Sequence, residues 1–94
     1  MKLSEISVEY ARDYCGVSDE SENERIQTCM SAAKAFILGY TGLDADAADK
    51  HYDITAAYLV LINEMYTNRD YTVDSSARNP FVRQVLSMHS VNYL

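Results

Sequence analysis

The stretch that decides the fold runs from Ile54 to Asn68: Ile54-Thr55-Ala56-Ala57-Tyr58-Leu59-Val60-Leu61-Ile62-Asn63-Glu64-Met65-Tyr66-Thr67-Asn68. Its first nine residues hold a single polar side chain, Thr55. A segment that is apolar nearly all round, at a length suited to a helix, belongs in the middle of a bundle with other helices wrapped about it. Asp53, just before it, is expected to act as the N-cap.

Toward the N-terminus, Ile26, Cys29, Met30, Ala33, Ile37 and Tyr40 advance by 3, 1, 3, 4 and 3, the stripe of a long helix over about Glu22–Tyr40. Ala32, Ala33 and Ala35 are small enough to admit a close neighbour, and Gly39 and Gly42 lie near its stop. Thr41–Lys50 reads as a connection with one helical turn inside it. A short first helix over Val8–Cys15 has Ser7 as its N-cap and Gly16 at its end, and the polar run Ser18–Glu24 links it to the second. Beyond Asn68 the chain is polar and irregular as far as Arg78. Asn79-Pro80 then supplies the N-cap and N1 pair of a last helix bearing Phe81, Val82, Val85, Leu86 and Met88. His89–Leu94 is expected to be frayed or extended. The expected fold is all-α, a small bundle of about four helices around the central helix Ile54–Asn68, with residues 1–94 forming a single domain.

Composition narrows the function. A chain of 94 residues is too short for a two-domain enzyme, and three Gly and one Pro are too few for the turns of a many-stranded sandwich. The formal charge is -6, the wrong sign for gripping phosphates through a basic face. Residues 1–24 carry seven acidic and two basic side chains, so most of the excess acid sits in the first quarter. The longest apolar run, Ala56–Ile62, has seven residues, far below the roughly 20 that cross a bilayer. No signal-peptide pattern opens the chain, and Cys15 and Cys29 are expected to be reduced thiols packed in the core.

Catalytic and metal-binding patterns find little footing. His51 and His89 stand 38 residues apart and belong to no ligand-spaced pair, so no metal site is expected. Asp44, Asp46 and Asp49 resemble the start of a calcium loop, but Ala47 and Ala48 follow where a ligand and the turn glycine belong, and a solvated linker is the better reading. Phosphate-loop and nucleophile-elbow motifs are missing from the sequence, and neither an enzymatic activity nor a cofactor is expected. The Asp19–Glu24 run is read as a solvated helix start before a docking surface for a basic partner. Val8–Ser18 has the look of a helix-turn-helix, yet Ala11 precedes Gly16 by five residues where that motif uses four, and its recognition helix would open with Asp19, Glu20, Glu22 and Glu24. Four acids against a phosphate-lined groove are repulsive. A small helix-turn-helix regulator or DNA-packaging accessory protein is therefore the alternative.

Eight tyrosines, at 10, 14, 40, 52, 58, 66, 71 and 93, are the compositional oddity. Tyr suits half-wet protein contacts, because its ring buries well while its hydroxyl stays satisfied. Tyr58 is read as core; Tyr71 and Tyr93 are at least as well placed for a partner.

Taken in order, the elements resemble the phage gp6-like head-tail connector proteins. The carriers are Leu3-Ser4-Glu5-Ile6 leading to Tyr10-Ala11-Arg12-Asp13-Tyr14, the acidic spacer, and Ala32-Ala33-Lys34-Ala35-Phe36-Ile37 closing on Tyr40-Thr41-Gly42. Glu64-Met65-Tyr66-Thr67-Asn68-Arg69 and Asn79-Pro80-Phe81 complete them. The resemblance implies an all-α structural protein of the virion neck, made in the host cytoplasm. It implies a self-assembled ring, expected to be dodecameric, between the portal protein and tail or stopper proteins, with DNA passing through and no membrane involved. A net acidic wall suits such a conduit, since like charge keeps a duplex from sticking. Ring closure needs one patch to meet a different patch on the next subunit. Tyr66, Arg69, Tyr71, Arg78 and Tyr93 are the candidates for self-association or for portal and tail contact.

Overall fold

The computed structural model describes residues 2–68 and 79–89. Its helices are α1 (Val8–Tyr14), α2 (Asn23–Thr41), α3 (Ala45–Ala48), α4 (Tyr52–Thr67) and α5 (Pro80–Met88), with 3-10 turns at Leu3–Glu5 and Glu20–Glu22. Among the described residues there is no strand, and the protein is all-α.

Local chemistry explains where the helices begin and end. Ser7 caps α1 by accepting from Tyr10 N–H, and Asn79 caps α5 by accepting from Val82 N–H with Pro80 behind it. α2 stops at Gly42, whose φ of +74° lets its N–H reach the Leu38 carbonyl at 2.9 Å, a left-handed closure that favours glycine. The turn expected inside the connection is α3, capped by Asp44.

One expectation is corrected. Asp53 is not the cap of the central helix, which starts at Tyr52 with His51 in the cap position and no side-chain cap bond. Asp53 already lies in the first turn, where its carboxylate accepts from Ile54 N–H and from His89 Nε2, so it joins two helices where it was expected to begin one.

α4 is the hub. Ile54, Ala57, Leu61 and Ile62 are fully buried, and α1, α2, α5 and the Leu3–Glu5 turn all pack on it. Ile26, Ala33 and Ile37 of α2, Ala11 of α1, and Val82, Val85 and Leu86 of α5 close the core. Hydrogen bonds set the directions. Arg25, near the start of α2, reaches the carbonyl of Tyr66 at the end of α4, whereas His89, just past α5, meets Asp53 at the start of α4. Arg12 at the end of α1 bonds Asn23 at the start of α2, so α1, α2, α4 and α5 run alternately up and down.

The apolar stripes hold with a few exceptions. Cys15, Cys29 and Met30 are half-buried against the core, while Phe81 and Met88 of α5 face solvent. Thr41, not foreseen as buried, sits in the core with its hydroxyl donating to the Ile37 carbonyl and accepting from Leu43 N–H. Tyr58 is buried as expected, and desolvation pushes its hydroxyl up to about 12.

Candidate functional site

The alternating helices give the bundle two ends with different chemistry. At one end, α1 finishes, α2 begins and α4 finishes. The acids of the spacer gather here: Asp19, Glu20 and Glu24 are exposed and Glu22 is half-buried. Asp19 accepts from Ser21 N–H, which holds its carboxyl below the ordinary range. Arg12 donates to Asn23 Oδ1 at 2.7 Å, and Asn79 Nδ2 donates to Glu64.

Tyr66 belongs to this acidic end. Arg25 Cζ stands 4.5 Å from its ring centroid and Arg25 Nη2 donates to its carbonyl at 2.8 Å. Burial, then the nearby Glu22, pushes the Tyr66 hydroxyl up. Of the five contact residues expected from sequence, Tyr66 is thus half-buried and held by α2; Arg69, Tyr71, Arg78 and Tyr93 lie outside the described residues.

Nearby, the two cysteines meet where α1 packs on α2. Burial raises the Cys15 thiol and the neighbouring Cys29 adds to it, while burial raises Cys29 against the pull of Arg25. Both are protonated thiols, poor nucleophiles at neutral pH.

The other end is where α2 hands over to α4 and α5 finishes. Tyr40 shares a 3.1 Å hydrogen bond with Ser87 and stacks obliquely with Phe36, ring centroids 5.7 Å apart. At this same end Tyr52, which opens α4, and Met88, which closes α5, are each 67% exposed. Ser4 clasps Asp49 twice, its N–H at 2.9 Å and its hydroxyl at 2.7 Å, and so ties the N-terminal segment to the turn after α3. Asp44 is used as a cap and Asp49 as this clasp, in keeping with the linker reading of the three aspartates.

A feature the sequence did not foretell lies here too. His51, Asp53 and His89 converge, each offering a ligand atom within 4.8 Å of the others. His89 Nε2 lies 2.9 and 2.8 Å from the two Asp53 oxygens, and the two imidazoles stack with centroids 4.0 Å apart. Burial works to raise the Asp53 carboxyl, but the hydrogen bond and charge of His89, with help from backbone N–H groups, hold it below its ordinary value. A separation of 38 residues hid the two histidines from any search for local ligand spacing; the only local signal is the pair His51-Tyr52-Asp53.

Among the described residues no helix is long and apolar enough to cross a membrane. No curated protein and no solved structure matches the chain. Residues 5–88 match a family, however, and the span takes in every helix described above. The chain belongs to the phage gp6-like head-tail connector protein family.

Proposed function

We propose that this protein is a structural subunit of the phage neck that assembles into a ring between the capsid portal and the tail or stopper proteins, and that DNA passes through the ring. The observation that carries the reading is the family match over residues 5–88. A dodecamer would match the portal in symmetry. Ring closure calls for two unlike surfaces on each subunit, and the bundle offers them: an acidic end around Asp19, Glu20 and Glu24, and an end bearing Tyr40, Tyr52 and Met88. Tyr66, Arg69, Tyr71, Arg78 and Tyr93 are proposed to add self, portal or tail contacts near the acidic end and along the chain that flanks α4 and α5. The net charge of -6 favours free passage of DNA over tight binding, and neither turnover nor a cofactor is part of this role.

Native mass spectrometry across a concentration series tests the proposal, because ring, dimer and monomer of a 10.6 kDa subunit are widely separated in mass. A closed ring supports it. A dimer that persists at every concentration, together with nanomolar, salt-dependent binding to duplex DNA in fluorescence anisotropy, would replace it with the regulatory alternative. If the protein is monomeric alone, the series is repeated with assembled portal, where failure to join the portal counts against the reading.

A further inference from the structure

We propose that His51, Asp53 and His89 form a binding site for a divalent transition-metal ion of the zinc type, which staples the start of α4 to the end of α5. The site does not depend on the connector reading. Two imidazole nitrogens and one carboxylate oxygen are a donor set suited to Zn2+, Co2+ or Ni2+, whereas Mg2+ and Ca2+ prefer oxygen donors throughout.

The geometry is close to what such an ion requires. Around a tetrahedral zinc with bonds of about 2.0–2.1 Å, donor atoms stand about 3.3–3.4 Å apart. The three ligand atoms here lie within 4.8 Å of one another, with His89 Nε2 and Asp53 Oδ2 at 2.8 Å. The widest pair has to close by about 1.5 Å and the tightest to open by about 0.5 Å, movements within reach of side-chain rotation alone. All three side chains are only partly buried, so each has room to turn and a fourth position stays open to water.

A simple ion pair explains only part of the arrangement. Asp53 and His89 satisfy one another, but the His51 imidazole makes no hydrogen bond among the described residues, and its ring lies at 4.0 Å from that of His89. A shared cation would give the His51 lone pair a partner and account for two imidazoles side by side. Metal binding would replace the contact between His89 Nε2 and Asp53 with two bonds to the ion. The ligands come from the cap position and first turn of α4 and from the residue after α5, so the ion would fix α5 at the end where no backbone connection holds it to α4.

The full chain, stripped with a chelator, is titrated with Zn2+ while binding heat and thermal unfolding are followed, and Co2+ serves as the spectroscopic probe. We expect one ion per chain and an unfolding midpoint raised by roughly 10–20 °C at a free concentration about a hundred times the dissociation constant. Co2+ should give visible bands without the thiolate charge-transfer band of a cysteine site. His51→Ala leaves the Asp53–His89 pair in place, so it should fold while losing more than about tenfold in affinity. His89→Gln should lose at least as much, and the Cys15→Ser/Cys29→Ser double variant should bind as the parent does. Absence of Zn2+ binding to the parent would overturn the proposal. So would binding that survives both histidine substitutions, binding that disappears with the cysteines, or equal stabilisation by Mg2+.

Discussion

At the acidic end of the bundle a cation does the fastening: Arg25 lies across the Tyr66 ring and donates to the carbonyl of the same residue, joining the start of α2 to the end of α4. At the opposite end the fastenings are carboxylates and hydroxyls, Asp49 held by Ser4, Asp53 by His89, and Tyr40 bonded to Ser87. A guanidinium keeps its charge at any pH a protein survives, so this fastening is insensitive to acid, even though Asp19 nearby is held below its ordinary value by Ser21 N–H. Asp49 and Asp53 are both held below their ordinary values by the bonds they accept, so the second end depends on their staying ionised. One helix, α4, is thus held at its end by a fastening that does not titrate, Arg25 on Tyr66, and at its start by one that does, His89 on Asp53.

That contrast matters only if both ends share one cooperative core, and the largest predicted effect asks whether they do. Leu61 is fully buried on α4. Leu61→Ala should lower stability by about 2–5 kcal/mol while urea unfolding stays a single transition, by circular dichroism and by tyrosine fluorescence alike. Two separated transitions would mean that the ends unfold independently.

Arg25→Ala strikes the acidic end alone. It removes a charged hydrogen bond and a cation over an aromatic face, and its cost should be clearly smaller than that of Leu61→Ala. The comparison sharpens if Arg25→Lys fails to restore the urea midpoint, because an ammonium lacks the planar fork that stacks and donates together. The deficit should be the same at pH 4 and pH 7, within the scatter of the parent.

The sequence disclosed this architecture wherever burial leaves a periodic trace. Ile54–Ile62 with its lone Thr55, and the stripe from Ile26 to Ile37, identified the two long helices and their buried faces, and Asn79-Pro80 marked the start of α5. The ends were harder to read because their contacts are single polar pairs between distant residues. Asp53 has the local look of a cap, and only the return of α5 shows that its partner is His89, 36 residues on. Phe81 and Met88 were read as part of an apolar face, yet in a nine-residue helix three buried positions, Val82, Val85 and Leu86, suffice to fill the contact with α4. Tyr66, chosen as an outward contact, is held by an arginine 41 positions earlier in the chain, which no spacing rule reveals.

Thr55 offers a change in the opposite direction. It is buried at the start of α4, and its hydroxyl has no hydrogen-bond partner among the described residues. Thr55→Val keeps the branched shape and deletes the unpaired group, and should therefore stabilise by about 1 kcal/mol in urea. A loss instead would show that the hydroxyl serves the end of the bundle where α4 begins, and that this end is more finely adjusted than its exposed ties suggest.

The smallest effect is the one that reads the titrating end directly. Asp49 is held below its ordinary value chiefly by the Ser4 hydroxyl and then by the Ser4 backbone N–H. A carboxyl with a lowered folded pKa contributes stability that is fully present above its unfolded value near 3.8 and is lost as pH falls through the folded value. Ser4→Ala removes one of the two bonds and leaves the other. The Asp49 titration, followed by carboxyl NMR, should move part of the way back toward its ordinary value, and the gap in urea midpoint between parent and variant at neutral pH should close below that range. Because Asp49 is solvent-screened, the gap itself should be small, and the direction of the titration shift is the firmer reading. An unchanged titration would mean that Ser4 does not hold Asp49 in solution, and the fastening of this end would then rest on Asp53 and Tyr40.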